Sequence, residues 1–129
     1  MIVDHIGYAV KNMDKAIHMF LELGYYFEDV ILDEDRNINI CFGNNGMQRI
    51  ELISPIKGKE SPVNKILKQN GPTPYHICYI VDDLEKEMNQ LAEKHFIIIK
   101  EPAPAIAFGS KRVAFLYNSQ VGLIEIVEK

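Results

Sequence analysis

The chain has 129 residues, 47% of them hydrophobic and 25% charged, and it carries a net charge of −4 at pH 7. These values are typical of one globular unit with a buried core, and the scattered basic residues argue against a nucleic-acid partner. We see no apolar run near the ~20 residues of a membrane helix and no signal-peptide pattern, and both cysteines lie in apolar stretches. We therefore expect a cytoplasmic protein without a membrane partner.

The first half of the chain predicts the element order βαβββ. Asn12 is a predicted helix N-cap, apolar residues then recur at helical spacing, and Gly24 is a predicted helix stop. Strands on either side are indicated by period-2 alternation, by β-branched and aromatic residues, and by the hairpin signal at residues 43–46. The four predicted strands are residues 2–10, 25–32, 38–42 and 47–53.

The second half repeats this order after a linker. Ser61 and Pro62 predict the start of a short helix that ends near residue 70, since proline is favoured at the first helical position. Residues 101–110 are predicted to form a loop long enough to line a site. The remaining predicted elements are strands at 75–81, 96–100, 111–117 and 123–127 and a helix at 82–95.

The two halves also share a sequence repeat. The motif His5-Ile6-x-Tyr8-x-Val10 recurs as His76-Ile77-x-Tyr79-x-Val81, and Ile50-Glu51-Leu52 recurs as Ile124-Glu125-Ile126. A repeat seen at both ends of a unit indicates two copies of one module. We predict an α+β fold with two βαβββ modules in a single domain of residues 1–129. Module 1 covers about 1–56, a linker helix about 61–70 and module 2 about 73–129.

Each repeat places one histidine and one glutamate among apolar strand residues. Alternation along the strands puts these four side chains opposite the large apolar ones. A buried carboxylate is costly, and two near each other are more so, whereas a divalent cation removes both penalties. We therefore predict one ion, which is Ni, Co, Zn, Mn or Fe, since the sequence does not choose among them. The predicted ligands are His5, Glu51, His76 and Glu125.

These motifs resemble those of the vicinal oxygen chelate superfamily, which includes glyoxalase, bleomycin-resistance and dioxygenase proteins. The resemblance covers essentially the whole chain and is greatest to methylmalonyl-CoA epimerases and compact bacterial glyoxalase I proteins. It implies the same four ligands and a cupped mixed sheet around the ion. The motifs that carry it are His5-Ile6-Gly7, Ile50-Glu51-Leu52, His76-Ile77 and Ile124-Glu125-Ile126.

The resemblance implies an isomerase that depends on a divalent metal and removes a proton next to a carbonyl through a metal-bound enolate, as methylmalonyl-CoA epimerase does. One alternative is glyoxalase I (lactoylglutathione lyase), which acts on a methylglyoxal–thiol hemithioacetal. Another is a metal-free protein that binds a small molecule or confers resistance. The expected partner is a thioester or hemithioacetal substrate, and we also expect a homodimer.

Catalytic roles in this scheme fall to carboxylates. Glu125 and Glu51 are the first candidates to carry the proton. Asp35 is the alternative, because epimerases of this type have a general-base glutamate just before the third strand and Asp35 is the nearest acid here. Lys111 and Arg112 are candidates to bind an anionic tail of the substrate.

Overall fold

A computed structural model describes all 129 residues and contains nine strands, three α-helices and one 3₁₀ turn. The chain divides into two compact units, one of His5–Tyr75 and one of Met1–Asp4 with His76–Lys129. The elements are β1 (Ile2–Ala9), α1 (Met13–Glu22), β2 (Tyr26–Phe27), β3 (Ile31–Asp33), β4 (Ile38–Asn44), β5 (Arg49–Pro55), α2 (Asn64–Asn70), β6 (Thr73–Val81), α3 (Leu84–Glu93), β7 (Ile97–Pro104), the 3₁₀ turn (Ile106–Phe108), β8 (Arg112–Asn118) and β9 (Gly122–Glu128).

The unit His5–Tyr75 is built on a mixed arrangement of strands. Strand β1 runs parallel to β5, with Ile6 opposite Ile50, and β5 runs antiparallel to β4. Strands β2 and β3 each pair with β4. Helix α1 packs its apolar side, which includes Met13, against a core centred on Leu52 and Cys41. This order confirms the predicted βαβββ module, except that one predicted strand forms two.

The other unit has the same design. Strand β6 runs parallel to β9, with Ile77 opposite Ile124, β9 runs antiparallel to β8, and β8 antiparallel to β7. Helix α3 places Leu84 and Met88 against the core that Leu116 helps to form. The α+β class and the repeated module order are therefore confirmed. The single-domain assignment and its module boundaries stay predictions.

Both long helices begin at the same kind of cap. The side chain of Asn12 accepts a hydrogen bond from the backbone N–H of Lys15 (2.9 Å), and Asp83 accepts one from Lys86 (3.0 Å). Such caps satisfy amide groups that the first helical turn leaves without a backbone partner. Helix α1 ends just before Gly24, which has φ +91° as a helix stop requires.

Three predicted elements differ from those in the structure. The predicted strand at 25–32 is interrupted at residues 28–30, where Glu28 and Asp29 are poor strand formers. The linker helix begins at Asn64, because residues 61–63 form a preceding turn. In this turn the Ser61 hydroxyl accepts a hydrogen bond from the backbone N–H of Val63. Helix α3 is shorter at both ends than the predicted 82–95.

The predicted loop at 101–110 is also wrong in its first four residues. Strand β7 continues to Pro104, with register irregularities between Ile98 and Lys100 and between Lys100 and Ala103. Prolines are compatible with β7 because it is an edge strand whose amide groups need no partner on one side. None of the helices combines the length and hydrophobicity that crossing a bilayer requires.

Candidate functional site

The first predicted histidine and glutamate meet in the unit His5–Tyr75. Strand pairing sets Gly7 opposite Glu51, so His5, two residues earlier on β1, shares the sheet face of Glu51. His5 is fully buried and Glu51 is 4% exposed. The His5 Nε2 and Glu51 Oε1 atoms are 3.2 Å apart.

The second histidine and glutamate meet in the same way in the other unit. Cys78 lies opposite Glu125, so His76 holds the same position relative to its glutamate as His5 does. Both side chains are buried, and the His76 Nε2 and Glu125 Oε1 atoms are again 3.2 Å apart. The repeat in sequence is thus a repeat in side-chain geometry.

A phenylalanine supports each imidazole, and neither was among the site residues predicted from the sequence. The ring of Phe42 lies edge-on to His5 with centroids 5.4 Å apart, and Phe115 lies edge-on to His76 at 5.5 Å. Each phenylalanine sits directly opposite the glutamate of its pair on the neighbouring strand. The available signal was an aromatic residue at the matching place in each half.

Arg49 is a further residue that the sequence analysis did not assign to the site. It lies two residues before Glu51 on β5 and therefore points to the same face. Its guanidinium carbon is 3.9 Å from the centroid of the Phe42 ring, which the His5 ring also contacts. The repeat has Leu123 at the equivalent position, so only one module supplies this cation.

The acidic run at residues 33–35 separates into a buried and an exposed acid. Asp33 is 2% exposed, and its carboxylate accepts hydrogen bonds from the Arg36 side chain (2.8 Å) and backbone N–H (3.2 Å). Asp35 lies exposed in the turn between β3 and β4. Its catalytic role stays a prediction.

Arg112 is already engaged by carboxylates of its own unit. Its Nη1 donates to Glu85 (2.6 Å) and its Nη2 to Glu128 (3.1 Å). These hydrogen bonds hold the pKa of both glutamates below the usual range and raise that of the guanidinium. An anion would have to compete with two carboxylates for Arg112. The anion-binding role of Arg112 and of the exposed Lys111 stays a prediction.

The donor atoms of each pair fit a divalent cation. Two ligands at roughly 2.1 Å from one ion are about 3.0 Å apart at an angle of about 90° and about 3.4 Å apart at the tetrahedral angle. The observed 3.2 Å lies in this range. It is longer than the roughly 2.7–2.9 Å of a charge-assisted hydrogen bond. Neutral imidazole and carboxylate are also the ligand types that Zn, Ni, Co, Mn and Fe accept.

Comparisons of this chain with known proteins agree on one family. Residues 4–115 match the model of the Glyoxalase/Bleomycin resistance protein/Dioxygenase superfamily. Mitochondrial methylmalonyl-CoA epimerase of Bos taurus is 30% identical over 128 residues, which cover 96% of this chain and 72% of the bovine protein. The uncharacterized protein YqjC of Bacillus subtilis is 27% identical over 131 residues, which cover 98% and 91% of the two chains.

A solved structure agrees with this assignment. The crystal structure of methylmalonyl-CoA epimerase from Mycobacterium tuberculosis aligns with a TM-score of 0.84 and 26% identity, over 98% of this chain and 86% of that one. Both the fold and the sequence therefore confirm the resemblance drawn from the repeated motifs. The chain belongs to the glyoxalase/bleomycin resistance/dioxygenase superfamily, and its relatives include methylmalonyl-CoA epimerases.

Proposed function

We propose that this chain is an epimerase that depends on a divalent metal and inverts the carbon next to a thioester carbonyl, as methylmalonyl-CoA epimerase does. The observation that carries the proposal is the buried histidine–glutamate pair at the same place in both modules. The names of the bovine and mycobacterial relatives support the reaction type and a thioester substrate.

The ligands in this proposal are the two pairs taken together. His5, Glu51, His76 and Glu125, all buried, would hold one ion of Ni, Co, Zn, Mn or Fe. When bound, the ion supplies a Lewis acid that stabilises negative charge on the carbonyl oxygen of the substrate. Phe42 and Phe115 would fix the imidazole rings and exclude water from them.

The chemistry that remains for the protein is proton transfer. A carboxylate takes the proton from the carbon next to the carbonyl, and the electron pair of the C–H bond stays on the substrate as an enolate. Return of a proton to the opposite face gives the inverted carbon, whereas return to the same face regenerates the starting material. Two carboxylates on different sides suit this reaction, and Glu51, Glu125 and Asp35 are the candidates.

Arg49 in the first module favours a substrate that carries a carboxylate. Two glutamates cancel the charge of a divalent ion, so the ligand set offers no net positive charge to an anionic substrate. Arg49, which stacks on Phe42 and lies on the same face of β5 as Glu51, would add a positive charge to this ligand set.

The proposal is tested by metal removal and by substrate choice. The protein is stripped with a chelator, reloaded with each of the five ions, and assayed with one enantiomer of methylmalonyl-CoA in deuterated water. We expect racemisation with deuterium uptake at the inverted carbon, and a loss of at least about 100-fold on stripping. Undiminished turnover without metal would contradict the proposal. Turnover of methylglyoxal–glutathione hemithioacetal instead would favour a lyase, which the relatives reported above do not support.

A matched pair of variants makes the metal requirement specific. His5→Ala should lose both the ion and the activity. His18→Ala should lose neither, because His18 lies exposed on α1 and its Nδ1 contacts only the backbone carbonyl of Asp14 (2.9 Å). Equal losses in the two variants would indicate general damage to the fold.

A further inference from the structure

A cleft of about 570 Å³ lies in the unit His5–Tyr75 where two parallel strands end. Lys11 follows β1, residues 55–60 follow β5, and Asn64 and Leu67 come from α2. Because β1 and β5 run in the same direction, their carboxyl ends form one edge of this unit. The cleft is therefore made by chain segments that leave the two strands carrying His5 and Glu51.

The cleft is positively charged in a protein whose net charge is −4. Lys11, Lys57 and Lys59 line it, and Glu60 is the only acid among its lining residues. None of these lysines forms an ion pair with a carboxylate of the chain. A cleft lined by one sign of charge concentrates the field and attracts a counter-ion.

The backbone that carries two of the lysines is held in place. The Lys59 amide donates to the carbonyl of Ile56 (3.1 Å), and the Asn64 side chain donates to the carbonyl of Lys59 (2.7 Å). The Asn37 side chain donates to the carbonyl of Glu60 (2.9 Å). Binding of a ligand thus requires the lysine side chains to order but not the loop.

Three of the residues that line the cleft are apolar. Leu67 is buried, and Pro55 and Ile56 are half-buried. Lysine ammonium groups bind phosphate as point charges on flexible stems, and several of them together match a group that carries two or more charges. We infer that this cleft binds the phosphate groups of a ligand that also has an apolar or planar part.

Two sources of such phosphates are compatible with the site. One is the phosphorylated carrier of a coenzyme A thioester, and this source rests on the proposed function. Pro55 lies four residues beyond Glu51, about 13 Å along an extended strand, which a long carrier arm can span. The other source is a separate nucleotide or polyphosphate. The lysine cleft is a better anion site than Arg112, whose charge Glu85 and Glu128 already balance.

The test is calorimetric binding of two probes, inorganic pyrophosphate and adenosine 3′,5′-bisphosphate, at low salt. We expect Lys57→Gln/Lys59→Gln to weaken binding about tenfold, with a shallower dependence on salt. The control Lys65→Gln/Lys68→Gln makes the same charge change at exposed positions of α2 that do not line the cleft, and should leave affinity within about twofold. Glu60→Gln removes the acid of the cleft and should tighten binding about two- to threefold.

Several outcomes decide the inference. No binding of either probe to the unsubstituted protein, or equal weakening in the two double variants, would overturn it. If the cleft variant also raises the KM for the thioester with kcat unchanged, the phosphates are those of the substrate. If KM is unchanged while probe binding is lost, the site takes a separate phosphorylated ligand. Absence of epimerase activity with probe binding retained would remove the proposed function and leave the phosphate site standing.

Discussion

The Phe42 ring is contacted by two residues of the candidate site. The imidazole of His5 lies edge-on to it, and the guanidinium of Arg49 lies over its face. Phe42 is 3% exposed, so the surrounding core fixes the orientation of its ring. The fixed ring can then restrict the orientation of the two side chains that contact it. An apolar side chain thus orients the His5 imidazole, which is a candidate metal ligand.

Replacement of Phe42 should therefore weaken metal binding although phenylalanine donates nothing to a metal. We predict that Phe42→Leu lowers metal affinity about tenfold, measured by competition with a chelator, because the His5 ring loses its support. Phe115→Leu should do the same through His76. Phe27→Leu makes the same change in the core beneath α1, to which Phe42 does not belong, and a loss of affinity as large in that variant would contradict the prediction.

The positive charge of Arg49 should strengthen the binding of a thioester that carries a carboxylate. We predict that Arg49→Gln weakens binding of malonyl-CoA about tenfold and leaves binding of acetyl-CoA nearly unchanged, because only malonyl-CoA has a carboxylate for the guanidinium. Arg49→Lys should recover part of the loss, since an ammonium keeps the charge without the fork of donors. Equal weakening of the two thioesters would argue for a structural role alone.

The histidines and glutamates could be predicted because they recur at matching positions of a repeat. Phe42 and Phe115 also recur, but apolar residues in a strand are expected everywhere and carry no chemical signal of their own. Arg49 has no counterpart in the repeat, and its place depends on a cross-strand contact with Phe42. The pairing of Arg112 with Glu85, 27 positions away, likewise follows from packing that no local pattern records.

Arg112 connects three elements, because it joins the start of β8 to α3 through Glu85 and to β9 through Glu128. Their pKa values are lowered in the folded protein from the ordinary 4.5, mainly by hydrogen bonds from Arg112. A carboxylate with a lowered folded-state pKa stabilises the fold above its unfolded pKa. That contribution is lost as the pH falls through the folded value.

The ion pairs should accordingly make part of the stability depend on pH. We predict that Arg112→Met lowers the free energy of unfolding above about pH 5 and that its difference from the unsubstituted protein shrinks as the pH falls below about 4. Urea unfolding at a series of pH values measures this. Lys111→Met, at the adjacent exposed position, should show no such dependence. A constant difference across the range would exclude the ion pairs as its cause.

The cap of α1 provides a second test at this scale. We predict that Asn12→Ala lowers the free energy of unfolding by about 1 kcal/mol, because the Lys15 amide loses its acceptor. Lys15→Ala removes an exposed side chain and keeps that amide, so it should be nearly neutral. Urea unfolding of both variants measures the difference, and equal losses would show that the cap contributes nothing.

Element type was more predictable than element boundaries. Hydrophobic periodicity and caps identified the long helices and most strands. The continuation of β7 beyond Lys100 was missed because prolines signal a loop, although an edge strand tolerates them. The interruption at residues 28–30 was missed because the aromatic and β-branched residues on either side dominate the pattern, although Glu28 and Asp29 are poor strand formers.

Duplication of one module accounts for the element order of the whole molecule. Parallel pairing of the first and last strand of each module, with the same register relative to histidine and glutamate, gives two equivalent histidine–glutamate pairs. The two modules differ in the positions of their cationic side chains. The lysine cleft and Arg49 belong to the first module, and Arg112 to the second. The expected homodimer stays a prediction.

Metal stoichiometry tests whether both histidine–glutamate pairs hold a single ion, as we propose. The protein is saturated with Co or Zn, freed of excess ion by dialysis, and its metal and protein content measured for the unsubstituted chain, His5→Ala and His76→Ala. We predict one ion per chain, and loss of that ion in either variant. Two ions per chain, with each variant losing one of them, would show that each pair holds its own ion and would contradict a shared site.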